Sequence, residues 1–180
     1  MYPQLDQPLN ITLTIITSIV IAWFALFFIN MMFVLFFKTI LKKHSKAMTV
    51  LLNAKYENTK KLFDLMRSYD VEVEEKVLAA LNGIDPKTFR NHDNKESEET
   101  RGVLAYLKDE ANFIANRNKE KLDKADFQLA KANVLELDNQ YRNNVVMYNA
   151  DVLGYNYWIT FLPCRFIFKI FKVKKRKIIG

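Results

Sequence analysis

Apolar side chains fill nearly every position from Ile11 to Phe37, a run of 27 residues without a formal charge, and beyond it they thin to every third or fourth position. The first pattern predicts a helix that is apolar all round, roughly 40 Å long at ~1.5 Å per residue, enough to cross a bilayer with some tilt. The second predicts amphipathic helices. Met48, Leu52, Tyr56, Thr59, Leu62, Met66, Tyr69, Val73, Val77 and Leu81 fall three or four apart with no Pro or Gly between them, and Asn82-Gly83 followed by Asp85-Pro86 supplies the stop. Residues Ile84–Arg101 hold few apolar side chains and include Glu96, Glu98 and Glu99 near their end, so they read as a solvated loop before a helix that starts within a turn of Glu98. From there Leu104, Leu107, Ala111 and Ile114, then Leu122, Ala125, Leu129 and Ala132, then Val134, Leu137, Tyr141, Val145, Tyr148 and Val152 mark a second long helix, to about Leu153, whose stripe shifts face near Ala132. Two helices of similar length predict an antiparallel hairpin that brings the chain back to its starting level, with a core that two helices alone do not complete.

The expected fold class is therefore all-α. Residues 1–10 form a short extracytoplasmic start, 11–37 a transmembrane helix, 38–153 an antiparallel cytoplasmic helical domain with its loop at 83–101, and 154–180 an aromatic and basic segment at the membrane interface. A secretory signal peptide would have a basic start and a much shorter apolar run. Direction follows from charge: the Lys and Arg residues all lie after Phe37, where 27 bases face 19 acids for a net +8, and the first of them, Lys38, Lys42 and Lys43, flank the apolar run. That asymmetry predicts an outward N-terminus and a cytoplasmic domain beside an anionic inner leaflet. Asn30, the lone amide of the run, is expected to be tolerated near its end.

Segment 155–173 (YNYWITFLPCRFIFKIFKV) concentrates Tyr, Trp and Phe and then interleaves them with bases. Aromatics collect at bilayer interfaces and bases on anionic headgroups, so the expected interface residues are Trp158, Phe161, Arg165, Phe168, Lys169, Lys172, Lys174, Lys175, Arg176 and Lys177, on a helix broken at Pro163. A second full crossing would force Arg165, Lys169 and Lys172 into hydrocarbon. A protein-docking surface is the alternative for the same segment.

Catalytic reagents are few. A single cysteine, Cys164, excludes an internal disulfide and reads as buried and inert, although its position permits lipidation. His44 and His92 stand apart, without the His/Cys cluster of a metal site, and no Gly-rich phosphate loop or Glu-x-x-His pair occurs. Asp64, Glu72, Glu74 and Glu75 would share one helix face and read as solvated charge, and Tyr141, Tyr148 and Asn149 as satisfied core groups rather than a pocket. Lysines in the hairpin alternate with acids, as in Asn118–Asp126, which argues against nucleic acid. The expectation is a non-enzyme without cofactor or metal, whose partners are the bilayer and either a second copy of itself or another protein.

Tyr141-Arg-Asn-Asn-Val145-Val-Met-Tyr148-Asn149 resembles the YNxxVxxYN signature of the LemA family, and the chain from Leu162-Pro163 through Val173 resembles its FPxxxxAxxxGF ending. Lys61–Tyr69 with Glu72, Glu74, Glu75 and Val77 is similar to the family's NLVxxVKGYxxHE stretch. Asn58-Thr59-Lys60 stands where the family has Ile-Pro, and Arg142 where it has Asn. The resemblance implies a divergent member, an antiparallel helical bundle on a membrane anchor in which Tyr69, Tyr141, Val145, Tyr148, Asn149 and Pro163 are packing residues, and no known catalytic activity. Two functions stay open on this reading: a scaffold that self-associates or joins a larger membrane-bound assembly, and a tether that holds a soluble complex through the loop at Ile84–Arg101. An enzyme or small-ligand binder is the third and weakest.

Overall fold

A computed structural model describes residues 6–90, 92, 95–161 and 164–179, and these form an all-α chain. Its helices are α1 (Asp6–Ser68), α2 (Glu75–Asn82), α3 (Lys95–Arg117), α4 (Lys119–Leu122), α5 (Ala125–Thr160) and α6 (Arg165–Ile170), with a 3₁₀ turn at Pro86–Arg90. The chain divides into two compact units, one of residues up to Leu41 with Ala150–Arg176, the other of Lys42–Asn149 with the residues from Lys177. Pro163 and the first five residues lie outside the described residues.

Both expected long helices of the 38–153 region are interrupted. The first ends at Ser68 instead of Leu81. Asp70 takes a left-handed φ of 51°, its N–H bonds Arg67 O at 3.2 Å, and the Val71 N–H bonds Met66 O at 3.0 Å. This is a Schellman ending, closed by the apolar contact of Val71 with the core that holds Met66. Aspartate tolerates the left-handed region better than most side chains, which is why a helix stop occurs without glycine and without a break in the apolar spacing. Gly83 does follow α2, but at φ −76° it uses none of glycine's freedom.

The expected loop at 83–101 is largely folded. Asp85 accepts the Lys87 N–H at 2.9 Å and starts the 3₁₀ turn with Pro86 in its first position. Phe89 is fully buried, and buried His92 reaches Ser45 O at 2.9 Å and Thr49 Oγ1 at 3.1 Å. The second long helix breaks at Asn118 and at Asp123, both poor helix formers, and the Asn118 carboxamide turns back to Ile114 O at 2.9 Å.

In the second unit these breaks make four passes. Contacts step outward from each reversal: Tyr69 to Asp126, Lys55 to Asp138 and His44 to Asn144 between α1 and α5, Lys108 to Asp138 between α3 and α5, and α2 against α3. The result is an up-down-up-down four-helix bundle. One core joins Leu52, Leu62, Phe63 and Met66 of α1 with Val77 and Leu81 of α2, Phe89 of the 3₁₀ turn, Leu104, Leu107 and Ile114 of α3, and Phe127 of α5. The apolar stripes that two helices leave incomplete are completed by the chain itself.

Inside that bundle Lys55 and Asp138 form an ion pair with both side chains nearly sealed from solvent. Burial opposes ionisation of Asp138, but Lys55 and Lys108, the latter at 3.0 Å, outweigh it and hold the carboxyl below its ordinary range, and Arg142 also reaches it at 3.2 Å. Burial draws the Lys55 ammonium down in spite of Asp138. Removing the carboxylate strands a buried cation among others of its sign. We expect Asp138→Ala to cost about 3–5 kcal/mol and Lys55→Met distinctly less, by urea unfolding of the full chain in lipid nanodiscs. Because the folded carboxyl is depressed, its stabilisation is present above the unfolded value near 4 and is lost as pH falls through the folded value. Stability between pH 5 and 3 should therefore decline less steeply in Asp138→Asn than in the wild type. Relief of the left-handed residue by Asp70→Gly should stabilise by about 0.5–1 kcal/mol in the same measurement.

Candidate membrane-interface site

One described helix, α1, is long and apolar enough to cross a membrane. Over residues 11–29 its side chains are exposed almost throughout, and Ile11, Ile21 and Phe28 stand more than half open. At Asn30 the surface changes. Asn30, Val34 and Leu41 are buried and Phe37 half-buried, at helical spacings of four, three and four, so one face of α1 is covered from Asn30 on.

The C-terminal segment supplies the cover within the first unit. Val152, Tyr155 and Ile159 form the buried face of α5, and Cys164 and Phe168 are buried with them. Trp158 stacks flat on Phe33, ring centroids 4.3 Å apart and planes 4° apart. A Cβ at Gly154 would lie 2.6 Å from the Phe37 ring, so this close approach of α5 requires glycine. The aromatic end of α5 is thereby fixed beside the last turns of the apolar run, next to exposed Lys38.

α6 ends as α1 does. Lys172 adopts a φ of 54°, its N–H bonds Lys169 O at 3.1 Å, and the Val173 N–H bonds Phe168 O at 2.9 Å. The turn sends the tail back along α5, where the Asn156 carboxamide takes the Arg176 N–H at 2.9 Å and donates to the Arg176 carbonyl at 2.9 Å. The tail is held there through its main chain, which leaves its side chains outward. Arg165, Lys169, Lys172, Lys174, Lys175, Arg176 and Lys177 are all exposed, and among the described residues none has a carboxylate within 4.0 Å.

Among the expected interface residues the bases are exposed. Phe168 is the correction: it is 4% exposed and belongs to the interior, because the turns of α6 point it toward α5. Phe166, Ile170 and Phe171 stand outward instead, 68%, 75% and 74% exposed between the bases. Trp158 and Phe161 are half-buried through their ring contacts.

The tyrosine, valine and asparagine positions expected to pack sit in several surroundings. Tyr69 packs on the bundle core and donates its hydroxyl to Asp126 at 2.6 Å, a bond that raises the phenol above its ordinary value. Tyr141 packs there too, and burial raises its hydroxyl. Val145 is half-buried and Tyr148 buried. Asn149 is a clamp rather than a packing residue: it accepts the Ile179 N–H and donates to the Ile179 carbonyl, both at 2.8 Å. Glu72, Glu74 and Glu75 follow the break after Tyr69 and are exposed, so they share no helix face with Asp64. Among the described residues no three His, Cys, Asp or Glu side chains gather closely enough to hold a metal ion.

Comparison with known proteins found no matching family model, no similar curated protein and no similar solved structure.

Asn30 is 1% exposed, and neither atom of its carboxamide has a hydrogen-bond partner. An amide buried without partners costs roughly 1–3 kcal/mol against an apolar group of similar shape. Asn30→Leu should raise the stability of the full chain in nanodiscs by about that amount, measured as the thermal unfolding midpoint.

Proposed function

We propose that the chain is a single-pass, membrane-anchored helical scaffold, without catalytic activity of its own, that assembles with further copies of itself. The observation that carries this reading is the join of Trp158 to Phe33. It ties the aromatic and basic segment to the Lys38 end of the apolar run, so that one lipid boundary accounts for the bases flanking the run, the uncommitted bases of the tail and the exposed Phe166, Ile170 and Phe171. On the charge asymmetry, residues 1–10 lie outside and the bundle faces the cytoplasm against an anionic leaflet. The motif similarity to the LemA family, with Tyr69, Tyr141, Tyr148 and Asn149 as its structural positions, is part of the same proposal.

Assembly is favoured by α5. Leu153 and Tyr157 lie four apart on the part of α5 within the first unit, and each is more than half exposed. Such a pair is larger than a singly scattered surface apolar residue and marks a contact surface. Tethering through Ile84–Arg101 is less favoured, because Phe89, His92 and Ser97 of that segment are turned inward.

Cross-linking in native membranes, followed by mass measurement of the solubilised protein, should give a species of two or more copies. Leu153→Glu with Tyr157→Glu should reduce it to one copy while helicity by circular dichroism is kept. A single-copy mass for the wild type would defeat the scaffold reading. Labelling of a cysteine introduced at position 7 from outside intact cells, with none at position 119, checks the direction.

A further inference from the structure

The second unit holds a cleft that the scaffold reading does not use. It lies where α1, α3 and α5 meet and has a volume of about 340 Å³, near the lower limit of small-molecule sites. Leu62 and Val134 form its buried floor, and Leu135, 58% exposed, stands at its rim. Lys108, Lys131 and Asn112 line it, and no acidic residue does.

The charge there is unbalanced. Three cations, Lys55, Lys108 and Arg142, face Asp138, and Asp109 lies 3.9 Å from Lys108, so the group keeps one positive charge in excess. Lys131 is half-buried and has no carboxylate within 4.0 Å among the described residues. The Asn112 carboxamide likewise makes no hydrogen bond among them. A concave site lined by charge of one sign concentrates the opposite one.

We infer that this cleft binds a small amphiphile, a medium-chain carboxylate whose head lies between Lys108 and Lys131 and whose hydrocarbon covers Leu62, Val134 and Leu135. The head supplies the missing negative charge and accepts from Asn112. The tail removes the exposed Leu135 surface from water. A longer chain would exceed the space, and a neutral one would leave the lysines as they are.

The probe is octanoate, added to the full chain in nanodiscs of zwitterionic lipid, with octanol as the neutral tail and acetate as the head alone. Octanoate at about 100 times its Kd should raise the thermal unfolding midpoint by roughly 5 °C, and octanol and acetate should leave it unchanged. Lys131→Glu reverses the charge at a partly open position, and Ala132→Trp fills the cleft from an exposed one. Each should abolish the octanoate response with the unliganded midpoint little changed, and Lys131→Gln should weaken it. A response to octanol equal to that of octanoate would assign the effect to the bilayer and overturn the site. So would no response to octanoate, or an undiminished response in both Lys131→Glu and Ala132→Trp.

Discussion

The apolar surface of α1 has to be covered by something along its whole length, and the chain covers only part of it. Over residues 11–29 its side chains are exposed almost throughout; from Asn30 the face of Val34, Phe37 and Leu41 is covered, with Trp158 and Gly154 of α5 against Phe33 and Phe37. Hydrocarbon is the solvent that suits the open part, and the sealed part is an ordinary protein interface with stacked rings and a glycine contact. The C-terminal segment has its position because α1 needs that cover, and its bases stand outward because its main chain and apolar side chains do the holding.

The bundle obeys a different rule. Its core is assembled by reversals, and two of them are made by residues that satisfy helix-end carbonyls without glycine: Asp70 after α1, Asn118 after α3. Across the four passes, Asp138 is the polar group that contacts most depend on, since α1, α3 and α5 all bring cations to it. A buried carboxylate with several donors fixes which helices face one another more than it adds to net stability.

Much of this was legible from apolar spacing. The all-helical class, the apolar run, the outward bases and the start of α3 near Glu98 follow from period and charge. The breaks did not, because the residues that make them are compatible with a continuing stripe: Tyr69, Val73 and Val77 keep a spacing of four while the backbone reverses at Asp70. Phe89 and His92 sit among polar neighbours, and their burial comes from tertiary contact with Ser45 and Thr49, which no local pattern reports. The inward turn of Phe168 and the outward turn of Phe166 belong to a six-residue helix, too short for periodicity to choose its face. The roles of Asn149 and Asn156 depend on partners some 20 to 30 residues away.

Those two asparagines read nothing but peptide groups. A carboxamide that pairs with an N–H and a carbonyl is indifferent to the side chain attached between them, so Lys and Arg are interchangeable at Arg176 as far as its seat is concerned, and the tail's composition is free to drift under whatever its outer surface meets. The freedom has limits: the Ile179 side chain is buried, and proline, with no N–H to offer, would unseat the tail at position 176 or 179.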